Sequence, residues 1–228
     1  MSVILCIETS EKKCSAAIFE NNLFLASNEA GNLSHSEKLA GMVDELLQRV
    51  NKSPGELSAI SISSGPGSYT GLRVGVAFTK GMCYALNIPL ITIPTLELIA
   101  YQALMKSNES YDFIASAMDA RRDEVYFSYF NTQLNQEIEP VNLILEEGSL
   151  GKFFSSQSKV LVAGSGAQKV IYITKQSNLI LEEPVEQDAK FMGEYSLKKF
   201  QAGEVENIAY FEPFYLKNFQ VGKTKKLF

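Results

Sequence analysis

Apolar positions along this chain change their period several times, and each change marks an element. Val3-Ile4-Leu5-Cys6-Ile7 is an unbroken apolar run, the pattern of a central strand covered on both faces, and it ends in the polar Glu8-Thr9-Ser10. Residues 14–19 and 23–27 predict two further strands, joined as a hairpin at Asn21-Asn22, residues that tolerate positive φ. Ser34 to Glu37 has the spacing of a capping box, and Leu39, Met42, Val43, Leu46, Leu47 and Val50 then recur on one helical face until Pro54-Gly55 breaks it. Leu57, Ile60 and Ile62 return to a strand. It runs into the turn Ser64-Gly65-Pro66-Gly67-Ser68, where Ser68 or Thr70 caps a helix that extends to about Asn87. A short strand over 88–93 follows, and Pro94-Thr95 opens a helix carrying Leu96, Ile99, Ala100, Ala103 and Leu104.

Residues 106–111 are polar and without period, so a domain boundary is expected there, with units 1–106 and 107–216 and a tail 217–228. Beyond it, 113–118 and 125–130 read as strands joined by Asp119-Ala120-Arg121-Arg122-Asp123-Glu124. A third strand is expected near 139–145, a helix over 147–154, and a strand over 159–163 ending in Gly164-Ser165-Gly166. Helices over 167–174 and 189–201 complete the pattern. Strands and helices in this order make an α/β arrangement with mixed sheets, and the second half repeats the first loosely enough to suggest duplication.

Composition is that of an ordinary globular chain, with 46% apolar and 21% charged residues. The net charge of −5 argues against a large nucleic-acid footprint. No apolar run is long enough for a bilayer, so no membrane is expected. Cys6, Cys14 and Cys83 form no CxxC pair and read as reduced thiols of a cytoplasmic protein.

Candidate chemistry is sparse. Gly71 and Gly75 stand one turn apart inside a helix, followed by Ala77 and Gly81, and each interior glycine costs about 0.5–1 kcal/mol relative to alanine. A close approach by another body would offset that cost. A phosphate is one candidate, but the stretch lacks the Lys-Ser/Thr pair of a phosphate-binding loop. A second helix is the other and is favoured, and on that reading Gly75→Leu blocks the contact and leaves the chain folded. His35 is the single histidine, with Leu39 one turn on, so neither a histidine metal pair nor a Ser-His-Asp triad is supported. Glu8, at the end of the first strand, is a candidate for holding Mg²⁺ through water in a phosphoryl-transfer site. The Asp119–Asp123 turn reads equally as a solvated hairpin tip or an interaction site, and Gly164-Ser165-Gly166 is weak support for a phosphate.

Ile4-Leu5-Cys6-Ile7-Glu8-Thr9-Ser10, His35-Ser36-Glu37-Lys38-Leu39, the stretch from Ser64 to Gly75, Asp119 to Tyr126 and Pro213-Phe214-Tyr215-Leu216 resemble, in order, the TsaB family of tRNA threonylcarbamoyladenosine biosynthesis proteins, in the TsaD-like glycoprotease superfamily. The resemblance implies the actin, Hsp70 and sugar-kinase (ASKHA) fold, with two related domains, each a mixed sheet flanked by helices. It implies a non-catalytic subunit that binds and activates or stabilises TsaD for N6-threonylcarbamoyladenosine formation beside the anticodon, together with TsaE. A homodimer is expected when the partner is absent, and tRNA contact only through the complex. No catalytic, cofactor-binding or metal residue is implied. The implied partner face comprises His35, Leu39, Met42, Val43 and Leu46 on one helix and Gly71, Leu72, Gly75, Thr79 and Met82 on the next. An ATP- and Mg²⁺-binding phosphotransferase of the same superfamily is the alternative. Glu8 stands where that superfamily usually has Asp, which weighs against nucleotide-bound Mg²⁺.

Overall fold

The computed structural model of the chain describes residues 1–30, 35–107, 109–181 and 187–217, the side chains of 35–37 not among them. Its first sheet holds β1 (Val3–Glu8), β2 (Cys14–Glu20), β3 (Leu23–Ala30), β4 (Ala59–Gly65) and β5 (Leu90–Pro94), in the order β3-β2-β1-β4-β5. β1 pairs antiparallel with β2 and parallel with β4, so the sheet is mixed. The second sheet holds β6 (Phe113–Asp119), β7 (Glu124–Asn131), β8 (Val141–Ile144), β9 (Val160–Ala163) and β10 (Leu179–Leu181), in the order β10-β9-β6-β7-β8. β6 pairs antiparallel with β7 and parallel with β9. The two orders are the same topology written twice, so the duplication suggested by the sequence is present in the fold.

Helices α1 (His35–Arg49) and α2 (Tyr69–Leu86) bury Leu39, Met42, Leu46 and Val76 with Leu5, Ile7 and Ile60 on one face of the first sheet. Helix α4 (Ala167–Thr174) and the 3-10 turn Ser149–Lys152 cover the corresponding face of the second sheet. The inner faces are covered by exchange. Helix α3 (Thr95–Lys106) leaves β5 of the first sheet, yet Leu96, Ile99, Ala100 and Ala103 pack on Ile114, Met118, Phe130 and Leu161 of the second. Helix α5 (Gly193–Ala202) follows β10, yet this stretch packs with Ile4, Cys6, Ala17 and Phe19 of the first sheet. A Cβ on Gly193 would overlap the Phe19 ring, so this approach needs glycine. Position 106/107 falls between the strands of the two sheets, while residues 189–215, expected within the second unit, pack on the first, and Lys217 returns to Glu124 of the second.

Where the exchanged helices meet, Tyr101 and Tyr195 stack edge to face at 5.3 Å. The Tyr101 hydroxyl donates to Glu194 at 2.6 Å, and the Tyr195 hydroxyl donates to Glu97 at 2.5 Å. Each phenol thus reaches a carboxylate on the other helix. Burial, reinforced by that carboxylate, raises both phenol pKa values.

Several elements differ from expectation. The strand near 139–145 shrinks to Val141–Ile144, and the helix over 147–154 is a single 3-10 turn. The helix over 189–201 is split at Met192 into the 3-10 turn Ala189–Phe191 and α5. Strand β10, three residues long, carries too little period to be seen in the sequence. The capping box at Ser34 to Glu37 lies outside the described residues.

Because the Tyr–Glu pairs tie the two sheets together, Tyr101→Phe and Tyr195→Phe should each lower unfolding stability by about 1 kcal/mol, as for a half-exposed hydrogen bond to a charged group. Urea midpoints of the single and double variants measure this.

Candidate functional site

Every residue of β1 is buried, and the strand delivers Glu8 to its end with no solvent exposure. A buried carboxylate must be hydrogen-bonded or neutral. Glu8 Oε1 accepts from the Ser10 N–H at 2.5 Å and from Ser63 Oγ at 2.9 Å, whereas Oε2 has no partner. Burial pushes the carboxyl pKa up to about 7, partly offset by Ser10 and Ser63, with the Glu11 charge adding to the rise. The carboxyl faces inward, under the turn that follows it.

That turn lies against the start of α2. Ser68 N–H donates to the Ser10 carbonyl at 2.6 Å, and Ser68 Oγ caps the helix by accepting from Gly71 N–H at 3.3 Å. A Cβ on Gly67 would sit 2.5 Å from the Ser10 carbonyl oxygen. One on Gly71 would overlap the Thr9 carbonyl oxygen, and one on Gly75 the Thr9 hydroxyl. The body that approaches the glycine edge is therefore the Glu8-Thr9-Ser10 turn of this same chain, not a second helix. Gly65, at φ +108°, is crowded in the same way by the Phe214 carbonyl, and Phe214 N–H donates to the Ser64 carbonyl at 2.8 Å.

The implied partner face is corrected accordingly. Leu39, Met42, Val43 and Leu46 point into the sheet and are 1–5% exposed. Gly71, Leu72, Gly75 and Thr79 are buried, the Thr79 hydroxyl donating to the Gly75 carbonyl at 3.0 Å. Met82 is half-buried against the same core. The His35 side chain lies outside the described residues. What α1 and α2 turn outward is a different set: Ala40 and Gly41 on α1, and Ala77, Gly81 and Ala85 on α2, with Tyr84 83% exposed beside them. Ala77, Gly81 and Ala85 recur every four residues, a signal in the sequence with the same spacing as the inward-facing Gly71 and Gly75.

In the second half, β6 ends on Asp119 as β1 ends on Glu8. Asp119 accepts from Lys169 Nζ at 2.8 Å and from the Arg121 N–H at 2.7 Å. Partial burial works against its charge, but Lys169 and the Arg121 N–H prevail and hold the carboxyl below its usual range. Ser165 Oγ accepts from the Asp119 N–H at 3.1 Å and donates to Glu11, bridging the turns of the two halves. Gly164, at φ +102°, abuts the Ala117 carbonyl, and a Cβ on Gly166 would sit 2.8 Å from a Val125 methyl. Close packing accounts for this glycine pair.

Neither cradle fits the groups that the superfamily suggests. Protein atoms fill the space beside both glycine turns, and Glu8 faces the interior. The sequence supplies one imidazole, and among the described residues no three His, Cys, Asp or Glu side chains come together as ligands.

A sequence model of the TsaD family, described as tRNA N6-adenosine threonylcarbamoyltransferase, matches residues 29–223. The chain is similar to the tRNA threonylcarbamoyladenosine biosynthesis protein TsaB of Escherichia coli (strain K12), 27% identical over 222 residues, which is 94% of each chain. Its fold matches YeaZ from Pseudomonas aeruginosa with a TM-score of 0.80 at 25% identity, covering 95% of this chain and 100% of that one. At 11% identity and a TM-score of 0.51, an inorganic polyphosphate/ATP-glucomannokinase from an Arthrobacter strain shares the fold alone, over 89% of this chain and all of that one. The architecture, two mixed sheets flanked by helices, is an actin-like, sugar-kinase-like fold.

Gly75→Leu should destabilise the chain by more than about 3 kcal/mol, because the Thr9 turn cannot retreat, while Gly81→Leu, facing open space, should leave the melting temperature within a few degrees. Thermal unfolding compares them. Glu8 binds its proton more tightly folded than unfolded, so its contribution to stability is greatest below the unfolded value of 4.5 and falls as pH rises to about 7. Glu8→Gln should remove a loss on the order of 3 kcal/mol between pH 4 and pH 8, read by urea unfolding at both.

Proposed function

We propose, since the chain belongs to the TsaD family and to its TsaB-type members, that it is the non-catalytic subunit that binds TsaD and activates or stabilises it for threonylcarbamoylation of tRNA adenosine. One observation supports this reading above the rest: the outward sides of α1 and α2 carry Ala40, Gly41, Ala77, Gly81 and Ala85, with Tyr84 exposed beside them. Small residues let another pair of helices come close, and an exposed aromatic supplies the anchor that a cluster of contacts needs. This replaces the buried face expected from Leu39, Met42, Gly71 and Gly75. TsaE is the third component on this reading, and a homodimer through the same helices forms when TsaD is absent. Reaction chemistry resides in the partner, because His35 followed by Leu39 offers one imidazole where a metal pair is needed. No helix among the described residues is long and apolar enough to cross a membrane, and we place the protein in the cytoplasm with tRNA.

Ala77→Arg and Gly81→Arg should fold with wild-type melting temperatures but fail to co-elute with TsaD of the same organism on size exclusion. The mixture should then lose tRNA modification. Co-elution of both variants at wild-type levels would count against the outer helix face, and modification by this chain without TsaD would end the subunit reading.

A further inference from the structure

We propose that the turn at residues 9–13 and the stretch at 187–191 form a proton-linked cover over Glu8, closed while its carboxyl keeps the proton and lifting when the proton leaves. Alternate residues of β1 face α5, where Ile4 and Cys6 pack with Ala17, Phe19 and Met192, and Glu8 falls on the same side. Ser15 stands opposite Glu8 in the antiparallel ladder, and its hydroxyl accepts the Ala189 N–H at 2.9 Å. The stretch at 187–191 is therefore seated beside the carboxyl. The turn closes over it from the end of the strand, with the Ser10 N–H on Glu8 Oε1 and the Ser68 N–H on the Ser10 carbonyl. Lys13 joins the two parts of the cover, pairing with Glu29 of β3 and, at 3.6 Å, with Asp188. Glu11 receives the Ser165 hydroxyl of the second half, so the cover also lies on the seam between the halves.

This seat is imperfectly satisfied. Gln187 is 1% exposed and neither of its amide atoms has a partner among the described residues; the same holds for Glu8 Oε2 and Ser10 Oγ. Buried polar atoms without partners make closure costly, and water reaching them on opening recovers part of that cost. β1 cannot yield, because it is paired on both sides by β2 and β4, so relief comes from the short segments above it.

The charges around Glu8 favour its neutral form while the cover is shut. Glu11 in the turn is a like charge. Lys12 acts on the Asp119 carboxylate across the seam, Lys13 is engaged by Glu29 and Asp188, and Lys190 holds Asp188 at 3.1 Å. β4 brings Ser63 to the carboxyl, and α2 brings only its glycine edge and Ser68 to the turn. Burial pushes the Cys6 and Cys14 thiols up to about 12, so neither is charged near neutral pH. Closed, Glu8 binds its proton with a pKa of about 7; open to water, it returns toward 4.5. Opening thus releases a proton and gains ground as pH rises from 4.5 to about 7, above which the closed form is ionised too and the effect levels off. The device does not depend on whether the chain binds TsaD.

The test is hydrogen exchange read by mass spectrometry on the full chain at about pH 6 and about pH 8, each corrected for its intrinsic exchange rate. Between them, protection of residues 9–13 and 187–192 should fall about tenfold, while that of residues 160–174 in the second half stays constant. Glu8→Gln should leave both segments equally protected at the two pH values. Ser63→Ala, which removes a donor to the ionised carboxylate, should enlarge the fall severalfold. Equal protection at both pH values in the wild type overturns the proposal. So does a loss shared equally by residues 160–174, which reports unfolding of the whole chain and not a local cover. Should Glu8→Gln fail to fold, Ser63→Ala decides, and a fall identical to that of the wild type overturns the link to Glu8.

Discussion

Thr9 and Ser10 lie directly on the backbone of α2, and much of the first half follows from that contact. A parallel strand pair needs a crossover helix laid over the sheet, and α2 is the crossover between β4 and β5. The turn that leaves β1 must pass beneath the first turns of this helix. With side chains at 67, 71 and 75 it could not do so, and β1 would lose its place between β2 and β4. The conformational cost of interior glycines is thus offset within the chain, by the packing of the strand on which the sheet is centred. The same device appears at Gly164 and Gly166, where the crossover α4 begins next to the end of β6.

Period and turn chemistry made the first half legible. The run from Val3 to Ile7 is covered on both faces by alternate residues, Leu5 and Ile7 toward α1 and α2, Ile4 and Cys6 toward α5. Asn21 adopts positive φ as its residue type suggested, and Ser68 is the cap. Small residues on a helix, however, say only that something comes close; they do not say what. Gly71 and Gly75 face inward and Ala77 and Gly81 outward, and sequence spacing alone cannot assign one set to the core. The exchange of α3 and α5 was illegible for a related reason. Leu96 and Ile99 announce an amphipathic helix, but nothing local states which of two similar sheets receives it.

The two halves use equivalent positions differently. Glu8 is enclosed at the end of β1 and burial pushes its carboxyl pKa up to about 7, while Asp119 at the end of β6 is exposed and engaged with Lys169, which holds its carboxyl below the usual range. One copy of the repeat has turned its polar strand end into core and the other has kept it at the surface. The halves differ in surface too, with small-residue helix sides on the first and a charged hairpin end, Asp119 to Glu124, on the second.

The crossing of α3 and α5 bears on how the protein is made. A nascent chain that has emerged only through β5 holds a complete first sheet with one uncovered apolar side, since the helix that shields Ile4, Ala17 and Phe19 is synthesised almost last. The first half therefore cannot mature on its own while translation proceeds, whereas the second sheet finds its covering helix α3 already made. Final closure waits for the carboxyl-terminal stretch, and until then the exposed strands are a natural substrate for chaperones.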